Sequence, residues 1–124
     1  MSKSFTEITG QITQGILKLR ETVPDPMKAF SALSRDAMKS GEVSELNKEL
    51  IALAIGVATH CEGCIGFHAK ALVRLGASRQ QVMEALAVTV YMGGGPALMY
   101  AAEAVHAFDE FVERKAAQAA ASPG

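Results

Sequence analysis

Apolar residues recur along this chain at intervals of three and four, and glycine, proline and capping residues interrupt the pattern at a few places. Phe5, Ile8, Ile12, Ile16 and Leu19 make the first stripe, which ends before Pro24. Asp25-Pro26 reads as an N-cap followed by proline at the first helical position, opening a second helix with Met27, Phe30, Leu33 and Met38 that stops at Gly41. Ser44 caps a third, over 45–59. A fourth covers 61–75 and ends at Gly76, a glycine just past the last helical turn. Ser78-Arg79-Gln80-Gln81 is a capping box for a fifth, which reaches Met92. Gly93-Gly94-Gly95-Pro96 breaks the pattern there and starts a sixth helix through Lys115, before an alanine-rich tail at 117–124 that should fray. The spacing predicts an all-α, single-domain helical bundle of about six helices, with no strand.

Both cysteines of the chain fall at the start of the fourth helix, in His60-Cys61-Glu62-Gly63-Cys64-Ile65-Gly66-Phe67-His68. With helix from the first cysteine onward, positions 61, 64 and 68 share one face, together with Leu72 and Leu75, while Lys70 and Arg74 lie away from it. A Cys-x-x-Cys pair at a helix N-terminus sees free backbone N–H groups and the positive end of the helix dipole, and both favour thiolate over thiol. One cysteine can attack and the other resolve. His68, one turn beyond Cys64, can act as the base for that sulfur. Glu49 flanks the Leu46, Leu53, Val57 stripe of the third helix, where a carboxylate needs a partner: either His68, the nearest candidate in the site, or a lysine at a solvated edge. His60 either joins this site or only terminates the third helix. His106 reads as an ordinary surface or interface histidine, and Gly93 to Gly95 as a tight turn between helices.

Composition narrows the setting. The chain has 124 residues and a formal net charge of −1, and its twelve lysines and arginines are scattered, so neither nucleic acid nor an anionic membrane is an expected partner. The first residues lack the apolar segment of a secretory leader, and the apolar runs near Ile51 to Ala58 and Ala85 to Met92 read as too short to span a bilayer. A soluble cytoplasmic chain is the expectation, and in that reducing compartment a Cys-x-x-Cys pair points to catalysis or metal binding before a structural staple. Hydrophobic residues make up 49% of the chain before its eleven glycines are counted, a surplus that predicts a homo-oligomer.

Glu49-x11-Cys61-x2-Cys64-x3-His68, with Gly76-Ala77-Ser78 and Met92-Gly93-Gly94-Gly95-Pro96-Ala97 downstream, resembles the alkylhydroperoxidase D-like branch of the carboxymuconolactone decarboxylase superfamily over residues 44–108. The resemblance implies an all-α fold assembled as trimers or hexamers, with the cysteines cycling between dithiol and disulfide. It implies Cys64 as the peroxide-attacking sulfur, Cys61 as the resolving one, and Glu49 and His68 as the proton relay. Some members carry a histidine between the cysteines, where this chain has Glu62-Gly63. The expected activity is a peroxidase-type thiol-disulfide oxidoreductase that acts on a hydroperoxide or disulfide, draws on a dithiol reductant and needs no cofactor. Two other classes compete with it: zinc held by Cys61, Cys64 and His68 with Glu49 or water, and a non-catalytic oligomeric module that binds an apolar small molecule.

Overall fold

The computed structural model describes residues 3–121, and within them five helical runs and no strand. These are α1 (Phe5–Thr22), α2 (Pro24–Met38), α3 (Glu45–Ala58), α4 (Glu62–Arg74) and α5 (Arg79–Ala121). The fifth run is not straight. Gly94 has φ 73° and ψ −154°, a conformation open to glycine and strained for any other residue. Arg79 donates to Asp109 through Nε at 3.0 Å and a second nitrogen at 3.1 Å. Thirty residues of straight helix would hold these two about 45 Å apart. The chain therefore reverses at Gly94, and α5 is a hairpin of two arms, 79–93 and 95–121. The glycine-proline segment makes the turn that its composition predicts.

The core lies between α3, α4 and the two arms of α5. Leu53 and Val57, then Ile65, Ala69 and Leu72, then Val82 and Leu86, then Ala97, Ala101, Ala104, Ala107, Phe108 and Phe111 are all buried there. Alanines dominate the second arm's inner face, which lets the helices approach closely. By length and mean hydropathy α5 is, among the described residues, the one helix apolar enough to cross a bilayer. This differs from the expectation of short apolar runs. The reversal at Gly94 and the seating of both arms in the core assign it to the bundle.

α1 lays Phe5 and Thr9 on α4, and its start is held by a residue far away in sequence. Glu110 accepts from Ser4 Oγ at 3.0 Å, from the Phe5 N–H at 3.0 Å and from the Thr6 N–H at 2.9 Å. Burial raises the Glu110 carboxyl, but the hydrogen bonds from Thr6, Phe5 and Ser4 together outweigh it and bring the group down to about 2. His106 belongs to the same anchor: its Nε2 lies 3.0 Å from the Lys3 carbonyl, and its ring meets Phe5 edge-on at 6.2 Å. A residue that reads as an ordinary surface or interface histidine thus has definite partners within the chain.

Other boundaries shift by a few residues for local reasons. α2 opens at Pro24, with Val23 as its N-cap, instead of at an Asp25 cap; the first turn of a helix tolerates both Pro24 and Pro26 because its N–H groups have no intrahelical acceptor. It ends at Met38, short of Gly41. Ser44 does cap α3, accepting from the Asn47 N–H at 3.1 Å. Ser78 and Gln81 form the reciprocal capping box, at 2.9 and 3.0 Å. The tail expected to fray from 117 instead continues as helix to Ala121, and its last residues, 122–124, lie outside the described part.

Candidate redox site

The turn between α3 and α4 decides where the cysteines go. α3 closes with the His60 N–H donating to the Val57 carbonyl at 3.2 Å and the Cys61 N–H donating to the Gly56 carbonyl at 2.9 Å. This paired closure requires a left-handed residue at position 60. At the end of α4 the equivalent place is Gly76, with φ 77°, but here it is His60, with φ 57°. A non-glycine residue in that region costs roughly 1–2 kcal/mol. The His60 ring stacks on Tyr100 with centroids 4.6 Å apart and planes within 5°, which offsets part of the cost.

Cys61 is thus the last residue of the α3 closure and also the N-cap of α4. It has an extended backbone, so the fourth helix starts one residue later than the spacing suggests. Its Sγ accepts the Cys64 N–H at 3.2 Å. Cys61 and Cys64 form a disulfide, with Cα atoms 5.2 Å apart. Both cysteines are half-buried at the N-terminal end of α4, where unpaired N–H groups and the helix dipole stabilise negative charge on sulfur.

Glu49 projects from the buried side of α3 and meets His68 of α4. Its Oε2 lies 2.6 Å from His68 Nδ1. The carboxylate is 8% exposed and the imidazole 31%, so the acid is enclosed while the base keeps an open edge. A carboxylate on Nδ1 fixes the ring's orientation and directs Nε2 as the working nitrogen. Cys64 and His68, four residues apart on α4, are neighbours on one helical face. Of the five residues singled out in sequence, Cys61 pairs with Cys64 and Glu49 pairs with His68, the two pairs being one helical turn apart along α4, whereas His60 turns to Tyr100. In this state two sulfurs of the zinc alternative are bonded to each other. Among the described residues no group of three His, Cys, Asp or Glu gathers to hold a metal ion.

Two contributors escape a local reading, and a third is marked only by its residue type. Tyr100 lies forty positions from the histidine it supports, and nothing in the intervening pattern links them. Lys3 reaches Glu62, inside the Cys-x-x-Cys segment, from the chain's beginning. Gly56 did carry a signal, as a lone glycine inside an apolar helical run. A Cβ there would stand 3.0 Å from the Cys64 Cβ, so α3 approaches the redox turn as closely as backbone allows.

A helical bundle that presents a paired Cys-x-x-Cys and a carboxylate-held histidine is the class that fold and site define. The carboxymuconolactone decarboxylase family matches residues 24–107, and the chain belongs to that family. A crystal structure of a family member from Legionella pneumophila superposes with a TM-score of 0.86 at 51% identity, over 87% of this chain and 96% of that one. A second member, from Thermotoga maritima, for which a part in the antioxidative response has been suggested, shares the fold with a TM-score of 0.79 at 23% identity, over 89% and 94% of the two chains. An uncharacterised protein of Cupriavidus necator is 40% identical over 73% of this chain and 80% of its own length. Uncharacterised protein 4 in the cox locus of Paracoccus denitrificans is 39% identical over 66% and 74%.

Proposed function

We propose that this protein is a thiol-disulfide oxidoreductase with peroxidase-type activity, working in a reducing compartment such as the cytoplasm. The observation that carries the reading is the Cys61–Cys64 disulfide at a helix N-terminus, one turn from a histidine held at 2.6 Å by the buried Glu49. In the reduced chain the Cys64 thiolate attacks the outer oxygen of a hydroperoxide. The O–O bond breaks, Cys64 becomes a sulfenic acid, and the departing alkoxide takes a proton from the His68 imidazolium and leaves as the alcohol. The Cys61 thiol then attacks the Cys64 sulfur, water is lost, and the disulfide forms. An external dithiol returns the pair to its reduced state. The suggested antioxidative part of the Thermotoga maritima relative agrees with this chemistry.

We also propose a homo-oligomer, a hexamer ahead of a trimer. α2 buries none of its residues, and Phe30, Leu33, Ile51, Ile55, Val88, Tyr91 and Met92 are exposed apolar side chains on α2, α3 and α5. Light scattering at micromolar protomer concentration tests this, and a monomer refutes it. For the activity, one equivalent of alkyl hydroperoxide should remove two thiols per chain, release the alcohol and leave an intrachain disulfide. Two free thiols remaining after peroxide, or only interchain dimers, refutes the reading and leaves the non-catalytic binding module in its place.

A further inference from the structure

α1 lies outside the residues the family matches, 24–107, yet it covers the redox turn. A Cβ on Gly63, between the cysteines, would come within 2.7 Å of Ile12 Cδ1, and one on Gly66 within 2.7 Å of Thr9 Cγ2. The segment before α1 brings a cation to the same place. Lys3 Nζ pairs with Glu62 Oε2 at 2.5 Å and with Glu103 on α5. Glu62 is the residue directly after Cys61, inside the ring that the disulfide closes. The Lys3 backbone is held separately, by His106 on its carbonyl and by Glu110 on the next three residues. The ammonium is therefore delivered to Glu62 by an anchor that does not depend on the ion pair.

We propose that Lys3 is a positioning residue for the Cys61–Cys64 couple, acting through Glu62: it neutralises the one carboxylate carried within the redox ring and so favours the thiolate and the reduced state. This rests on the redox reading above. Reduction adds two electrons and two protons to the disulfide and yields two thiols. Above the midpoint of the more acidic thiol one proton is released, and the turn gains a negative charge. An uncompensated Glu62 carboxylate opposes that charge. The groups that bear on this balance are Glu62 on α4, Glu103 and His106 on α5, Lys3 itself, and the Glu49–His68 pair between α3 and α4. Lys3 and Glu62 are each 40% exposed, so solvent and salt screen the effect to roughly two- to fivefold in equilibrium constant.

The test measures Lys3→Gln, Lys3→Arg, Glu62→Gln and the Lys3→Gln/Glu62→Gln double variant in the full chain. Each is equilibrated with dithiothreitol redox buffers at pH 8 and low ionic strength and read by mass after alkylation. Lys3→Gln should shift the couple about threefold toward disulfide, about 15 mV at roughly 30 mV per tenfold. It should also raise the pH midpoint of cysteine alkylation by about half a pH unit, the same factor of three. Lys3→Arg should behave as wild type. In the Glu62→Gln background the Lys3→Gln shift should fall to less than half, because Lys3 then bears on the turn only from its Glu103 pair, and 1 M salt should suppress it in the wild-type background. A Lys3→Gln shift of undiminished size without the Glu62 carboxylate, or no Lys3→Gln shift where the wild-type couple titrates normally, overturns the inference alone. A wild-type chain that forms no intrachain disulfide overturns the redox reading and this inference together. Far-ultraviolet circular dichroism separates either result from loss of fold, because Lys3 lies outside α1.

Discussion

Replacing Glu110 by Gln removes the charge that holds α1 to the second arm of α5 while leaving an amide oxygen in its place. The carboxyl falls from an ordinary 4.5 to about 2, which at about 1.4 kcal/mol per pH unit corresponds to about 3 kcal/mol of stabilisation by the ionised form. The side chain is 22% exposed, enclosed enough for most of that figure to survive solvent screening. Because the folded value lies below the unfolded one, the contribution is complete above about pH 5 and drains away as pH falls toward 2. Glu110→Gln should therefore be destabilised by about 2–3 kcal/mol at pH 7. Its stability curve should converge on that of the wild type as the pH approaches 2, where the wild-type carboxyl also becomes neutral. Urea unfolding at pH 7, 5, 4 and 3, followed by circular dichroism at one fixed protomer concentration, supplies the comparison. A deficit that stays constant across this range, or one below about 0.5 kcal/mol at pH 7, would show that Glu110 is an ordinary surface acid and that α1 is held by its packing on α4.

Further outcomes follow from the redox turn. His60→Ala keeps the left-handed backbone but loses the Tyr100 stack, so it should destabilise by about 1 kcal/mol, whereas His60→Gly loses the stack and relieves the strain and should melt within a degree or two of wild type; equal losses in the two variants would refute the strain. His68→Gln should move the pH dependence of Cys64 alkylation upward, and Glu49→Gln should do so by less, because the carboxylate acts only through the imidazole. If Cys61 alkylates faster than Cys64 and His68→Gln changes neither rate, the attacking and resolving roles are reversed. Gly56→Ala forces α3 and the redox turn apart and should cost about 1–3 kcal/mol while slowing disulfide closure after peroxide; wild-type closure kinetics in a folded variant would show that this contact does not position Cys64.

Much of this molecule is legible in its order of residues because its helices are written locally. Ser44, the Ser78–Gln81 box and Gly76 act within one turn of themselves, and the Gly93-to-Pro96 segment carries its own signal for a turn. The Glu49–His68 pairing is legible too, since a carboxylate beside an apolar stripe demands a partner and few are within reach. What escaped is what the chain closes over long separations. The Glu110 cap of α1, the Tyr100 support of a strained His60 and the Lys3–Glu62 pair each join positions that periodicity treats as unrelated. The start of α2 is ambiguous in the sequence for a different reason, since Pro24 and Pro26, two residues apart, both suit the first turn of a helix.

The anchoring of α1 also says something about how the chain folds. The contacts among α3, α4 and the α5 hairpin link neighbouring elements, so they form with short loops and little entropic cost. α1 instead joins residues 4–6 to residue 110, a closure spanning most of the chain. The Glu110 contacts reward the chain only after the hairpin has placed that residue, so the start of α1 is expected to order late on the folding pathway and to open early from the native state. Amide exchange in the native state should show Phe5 to Thr9 opening before the core of α4 and α5. The helix that shields the disulfide would then be the first part of the protein to leave it.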